Sequence, residues 1–369
     1  MATLKVNTVT NAAGTGSPDL PDGITINNTV LASLNTMDYY AQSGEPSSPK
    51  NAALWFDTDD DVLKMYVNDE WVQVDYSNLP AWFGDRGLFV GGNGSNVIAY
   101  VTISTPGNAT DFGDLASARY GIGACSNGSR GVFGGGLVSN AVTNLIDYVT
   151  ISTAGNTTDF GDLTVARSYL GSCSDGVKGM FGGGMLVNYS GSTTIDYVTI
   201  ATTANAIDFG DLTAGRAQLA ACSDGTYGVF GGGQSTVGIT IDYVTIATTG
   251  NATDFGDLSE AKSFMASCSN SSRGLFGGGL NVSGSGPFNA IEYITIATPG
   301  NSTDFGDLTA ATQQLAACSN GSRGIFGGGN TSSSTTNVIA YVTIDTLGNA
   351  TDFGDLTVAE NYLSSCSGD

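Results

Sequence analysis

The 369-residue chain contains no histidine. That absence removes Ser-His-Asp and Cys-His nucleophile systems, histidine general bases, and histidine-ligated zinc or copper. Basic residues are also scarce: 12 Lys and Arg stand against 34 Asp and Glu, a net charge of −22. A surface of that sign disfavours nucleic acid and anionic membranes as partners. Only 12% of residues are charged at all, about half the usual share, so Ser, Thr, Asn and Gly must carry the solubility. No stretch approaches the roughly 18 apolar residues of a membrane span, so no membrane insertion is expected. The opening Met1-Ala2-Thr3-Leu4-Lys5-Val6-Asn7 lacks the apolar core of a secretory signal, so the expectation is synthesis in the cytoplasm without secretion. Nor does any segment keep a long 3.6-residue apolar period, and the reading is all-β.

What the chain does have is hydrophobic content of 41%, enough for a core, and 53 glycines. It also has a repeat. Phe89, Phe133, Phe181, Phe230, Phe276 and Phe326 each sit in a Gly-rich segment. After each comes a Tyr (Tyr100, Tyr148, Tyr197, Tyr243, Tyr293, Tyr341), then Asp-Phe-Gly-Asp-Leu, then a Cys. Six copies of about 48 residues, each with four short strand candidates and turn signals such as Asn127-Gly128 and Asp175-Gly176, fit the blades of a propeller. The residues before each Cys are small, as in Gly123-Ala124-Cys125 and Ala220-Ala221-Cys222. Small side chains suit strands crowded around an axis, so the Cys strand is expected innermost and the Asp-Phe-Gly-Asp strand outermost.

The pattern resembles a kelch propeller, in which a Gly doublet ends one strand, aromatics mark the next two, and an Arg opens a fourth. Gly134-Gly135, Tyr148, Phe160 and Arg167 take those places in one copy, with Phe where kelch repeats usually carry Trp. Residues 1–80 lie outside the repeat. There Leu54-Trp55-Phe56, the acidic turn Asp57-Thr58-Asp59-Asp60-Asp61, Val62–Val67 and Trp71-Val72-Gln73-Val74 read as a three-strand meander. This block resembles a short module of bacteriophage tail-fibre and virion proteins, and the first residues resemble the start of virion proteins of marine cyanobacterial phages. Three parts are therefore expected: a virion-attachment segment (1–45), a meander linker (46–80), and a six-bladed propeller (81–369) closed by the carboxyl-terminal strand. The resemblance implies a virion location, with other virion proteins as partners through residues 1–80. A fibre-like anchor would allow a homotrimer, although no coiled-coil heptad forces one.

Several motifs invite chemistry and are better read as structure. Asp-Phe-Gly holds magnesium in kinases, but six tandem copies without a phosphate loop make that match accidental. Carboxylates repeated in every copy, such as Asp111 and Asp114, suit turn hydrogen bonds or pairing with arginine. One cysteine per copy reads as a buried thiol, since equivalent positions on neighbouring blades lie too far apart for a bridge. Asn-x-Ser/Thr sites such as Asn108 and Asn251 read as turns, not glycan acceptors. The acidic turn at 57–61 lacks a complete calcium-loop pattern. No metal and no cofactor is expected.

Repeat spacing locates a face. Tyr to Asp is always 11 residues, Asp to Cys 14, and Cys to the next Phe 8; only Phe to Tyr varies, from 11 to 17. Insertions confined to one loop per blade mark a recognition surface. Candidate ligand-binding residues on that face are Arg119, Arg167, Arg216 and Lys262, with Thr312 and Glu360 in their place in the last two copies, and the loop aromatics Tyr189 and Phe288. The competing structural reading pairs the four cations with Asp114, Asp162, Asp211 and Asp257. The leading functional expectation is a non-enzymatic phage structural protein (tail fibre, adsorption or capsid decoration) whose propeller meets a host-surface glycan or receptor through the loop face. A free multivalent lectin is the alternative, and a carboxylate-based propeller hydrolase or lyase the third reading.

Overall fold

A computed structural model describes residues 84–368, except 235–237 and 285, together with the backbone of six short strands nearer the amino terminus. The chain divides into two compact units, Met1–Leu79 and Pro80–Asp369. In the first, Leu54–Asp57, Val62–Val67 and Glu70–Gln73 form an antiparallel meander. Tyr39–Gln42 adds a fourth strand, parallel to Leu54–Asp57. A parallel neighbour needs a long connection in place of a hairpin turn, so no local turn signal announces it. The strand expected at Leu4–Val9 and the carboxylates Asp59, Asp60 and Asp61 lie outside the described residues.

The second unit is a six-bladed β-propeller, with no helix among the described residues. Every blade is a four-stranded antiparallel sheet in the order Cys strand, Phe strand, Tyr strand, rim strand. Blade 2, for example, comprises Gly123–Ser126, Arg130–Gly134, Leu145–Thr150 and Thr158–Asp162. Consecutive Cys strands touch all the way round and line the axis. Blade 1 is completed from the far end of the chain: Ser364–Gly368 pairs with Arg86–Val90, setting Ser365 opposite Phe89 and Cys366 opposite Leu88. Blades 2 to 6 follow along the sequence, each starting with the Cys strand of the preceding repeat copy.

The core lies between blades, in six clusters that each draw residues from adjacent sheets. Repeated glycines make those seams possible. The ring of Phe326 presses on Gly277 of the blade before it, where a Cβ would stand 2.6 Å from a ring carbon. Each Cys Sγ lies against the glycine at the second position of the Phe strand of the next blade, as Cys222 does at Gly274. All six thiols are free and buried. Burial alone accounts for the rise of the Cys268 and Cys366 thiols to about 12.

Three hydrogen-bond rings reinforce the packing. Near the axis, Ser126 Oγ donates to the Ser367 carbonyl at 2.6 Å and Ser174 Oγ to Ser126 at 2.7 Å. Ser223, Ser269, Ser319 and Ser367 continue the series until it closes. At the rim, the turn asparagine of each blade accepts from the backbone N–H of the second Asp of the neighbouring Asp-Phe-Gly-Asp, from Asp114 N to Asn156 Oδ1 at 3.0 Å through to Asp355 N to Asn108 Oδ1 at 3.0 Å. Five of the six latch asparagines, Asn108, Asn156, Asn251, Asn301 and Asn349, are the first residues of Asn-x-Ser/Thr sites. The third ring lies at one mouth of the channel.

Candidate binding face

Strand direction places two connections of every blade on one face: the variable loop and the segment entering the next Cys strand. They pair there, Tyr120 with Leu137, Ser168 with Met185, Ala217 with Gln234, Lys262–Ser263 with Leu280–Asn281, and Gln313 with Asn330. Each entering segment passes through one residue in the left-handed region: Gly121, Tyr169, Gln218, Phe264, Gln314 and Tyr362. For five of the six this costs about 1–2 kcal/mol each relative to ordinary backbone. A closed ring of backbone bonds offsets the cost. Tyr169 N donates to Gly121 O at 2.6 Å, Gln218 N to Tyr169 O at 2.9 Å, and so on around to Gly121 N and Tyr362 O at 3.3 Å.

The side chains of that ring converge on the axis. Tyr169 and Tyr362 have ring centroids 5.5 Å apart, Phe264 and Tyr362 5.5 Å, and Tyr169 and Phe264 5.6 Å. Tyr120 joins at 5.6 Å from Tyr362, and its hydroxyl donates to Asn140 Oδ1 at 2.7 Å, tying the cluster to a variable loop. Gly121 has no side chain because Tyr169 lies there; a Cβ would stand 2.8 Å from its ring. Burial, then the nearby phenols of Tyr362 and Tyr120, pushes the Tyr169 phenol up, so it stays a neutral donor. Gln218 and Gln314 share the mouth, and the buried Gln218 Oε1 accepts no hydrogen bond from the described residues. The space among these side chains is only about 80 Å³, and the channel beneath, where a collar of Ile122, Leu170, Leu219, Met265, Leu315 and Leu363 gives way to Ala and Ser, opens to about 100 Å³. The mouth thus offers aromatic faces, a phenol donor and an amide acceptor above a pore too narrow to admit a bulky ligand. Strained non-glycine backbone gathered at one place is a feature of ligand sites.

The four cations are elsewhere than expected. Arg119, Arg167 and Arg216 are fully buried, and Lys262 nearly so. Each turns away from the channel mouth into its own blade and pairs with the acid preceding the Tyr of the third strand. Arg119 meets Asp147 at 2.8 Å, Arg167 meets Asp196 at 2.7 Å, Arg216 meets Asp242 at 2.6 Å, and Lys262 meets Glu292. The expected partners Asp114, Asp162, Asp211 and Asp257 are replaced because they lie on the rim strand of the preceding blade, while each cation enters the next one. Burial lowers the three arginines, with the facing acids opposing it. Burial alone would raise the Glu292 carboxyl, yet donors from Lys262, Ser259 and Ser302 hold it below the usual range. No ligand on the loop face can touch these charges as they stand.

The two loop aromatics differ. Tyr189 is 82% exposed at the tip of the blade 3 loop. Phe288 is half-buried, with the Lys262 ammonium 4.7 Å from its ring centre, so it supports a charge pair. The sequence reading passed over Tyr120, Tyr169, Phe264 and Tyr362. For the last three a signal was available: in the aligned copies the position two after the cation or its replacement runs Gly121, Tyr169, Gln218, Phe264, Gln314, Tyr362, breaking a strict repeat, whereas Tyr120 sits one place earlier. It also passed over the first residue of each Phe strand. Arg86, Arg130, Lys178, Arg273 and Arg323 stack on the Tyr of their own blade and donate to a carbonyl of the next, as Arg130 does to Ile200 O at 3.0 Å. Among the described residues no group of Cys, Asp and Glu gathers to hold a metal ion. No family model matches the chain, and no curated protein matches it.

Proposed function

We propose that the propeller is the host-recognition end of a non-enzymatic phage virion protein, attached through residues 1–80 and binding a surface glycan at the aromatic channel mouth. The observation that carries the binding half is the cluster of Tyr120, Tyr169, Phe264 and Tyr362 on the face that bears every length change of the repeat. Aromatic faces beside phenol and amide groups suit the apolar and hydroxylated sides of a sugar ring. The attachment half rests on the likeness of residues 1–80 to phage tail-fibre modules. A free multivalent lectin would repeat its pocket in each blade, whereas this cluster occurs once, on the axis; that favours one site per ring over intramolecular avidity.

The test pairs two measurements. Purified particles should contain the protein by mass spectrometry, and the isolated protein should bind host cells or their surface polysaccharide. Tyr362→Ala and Tyr169→Ala should each weaken that binding at least tenfold with the unfolding midpoint little changed, and Tyr189→Ala should weaken it less. Full binding by a folded Tyr169→Ala/Tyr362→Ala variant would overturn the site. Absence from particles would overturn the virion assignment alone.

A further inference from the structure

We infer that blade 6 contains a binding site for a small guanidinium compound, built from the socket that holds an arginine in blades 2, 3 and 4. In those blades the guanidinium fills a slot between the Phe and Tyr strands. Arg216 Nη1 donates to Gly232 O at 2.9 Å and Thr240 O at 2.6 Å, and Nη2 to Phe230 O at 3.5 Å and Asp242 at 2.6 Å. Arg167 repeats this set with Gly183, Thr194, Phe181 and Asp196. In blade 6 the corresponding residues are Thr312 for the arginine and Ala340 for the acid, so both side chains are truncated together. A cavity of about 290 Å³ stands in their place, near the lower end of small-molecule sites.

Its walls keep the acceptors. Phe326, Gly328 and Val338 line the cavity at the positions whose carbonyls receive the guanidinium elsewhere. The Gly328 carbonyl accepts no hydrogen bond from the described residues. Thr312 does not substitute, since its hydroxyl donates to Ala310 O at 3.0 Å. The missing carboxylate is partly replaced. Asp352 lines the cavity and lies in register opposite Ala340 on the rim strand. Its counterpart in blade 3, Asp208, is close enough to act on the Arg167 guanidinium. A planar cation with several N–H donors is the group these acceptors were spaced for, and only a cation gains from the exposed Asp352 carboxylate at the cavity edge. The net charge of −22 adds a field that draws cations in. Thr331 and Thr336, from the blade 6 variable loop, stand at the cavity as well, so a ligand tail would run toward the loop face.

The inference is independent of the glycan reading, because the cavity lies where the crossover Leu308-Thr309-Ala310 from blade 5 meets blade 6, and not at the axis. It is tested on the full chain by calorimetry and thermal shift with ethylguanidinium chloride at millimolar concentration, against ethylurea and potassium chloride at the same concentration. Saturable binding of ethylguanidinium alone is expected. Ala340→Asp should tighten it at least tenfold, and Asp352→Asn should weaken it about as much. Thr312→Arg/Ala340→Asp, which refills the socket with the pair of the other blades, should abolish it and raise the melting temperature. Should one of these three variants misfold, the other two still decide the matter. Equal response to ethylurea, or ethylguanidinium binding that survives both Asp352→Asn and the refilled socket, would overturn the site.

Discussion

At the residue scale, four buried ion pairs hold the third strand of a blade to the segment that enters its first. Desolvating two charges costs several kcal/mol, and the gain in a low-dielectric interior depends on full hydrogen bonding. Arg216 meets that condition through three carbonyls and Asp242, although its Nε has no partner among the described residues. Removing one member should therefore be worse than removing both. Arg216→Thr leaves Asp242 buried and unanswered and should cost about 3–5 kcal/mol. Arg216→Thr/Asp242→Ala, the combination that blade 6 carries as Thr312 and Ala340, should recover more than half of that loss. Urea unfolding of the two variants checks it; additive losses would mean that the pair is not coupled. The chain already records this logic, because Glu360, which also lacks the cation, faces a blade whose acid position is Ala99.

At the element scale, the blades are joined by repeated clasps, and one clasp is missing. The first residue of the Phe strand stacks on its own Tyr and reaches across to the next blade: Arg86 to Ile151 O at 2.8 Å, Arg323 to Ile103 O at 2.8 Å. In blade 4 that residue is Tyr227, whose ring packs edge-on against Tyr243 with centroids 5.6 Å apart. Tyr227→Arg should restore both the stacking and a donor to the Ile296 carbonyl of blade 5. A hydrogen bond from a charged donor is worth about 1.5–3 kcal/mol net, and the lost tyrosine contact offsets part of it, so a small rise in the urea midpoint is expected. No change, or a fall, would show that the edge-on tyrosine pair is the better clasp at this seam.

At the scale of the whole molecule, everything depends on closing the ring. The strand Ser364–Gly368 covers an edge of Arg86–Val90 that would otherwise lie open to other chains. It also supplies Ser367, which donates to Ser319 O and accepts from Ser126, and Tyr362, which completes the ring at the channel mouth. Deleting residues 358–369 thus breaks two six-membered rings as well as one sheet. The shortened chain should lose cooperative unfolding and aggregate in size-exclusion chromatography. A truncated protein that melts like the complete one would refute closure as the source of cooperativity.

The repeat spacing alone determined the number of blades, the order of strands within each, and the strand that closes the ring. These follow from local properties, alternation and turn chemistry, repeated six times with constant intervals. The small residues before each Cys located the axis for the same reason, since crowding acts on side-chain size. Partner choice was not local. Arg167 has Asp162 five residues before it in sequence, yet Asp162 stays on the rim of blade 2, and the arginine turns into blade 3 toward Asp196, 29 residues away. Nor could spacing bring together Tyr120, Tyr169, Phe264 and Tyr362, which span 242 residues and meet only because the ring closes. Side-chain direction around a closed ring decides such contacts, and it exists only once the blades have packed.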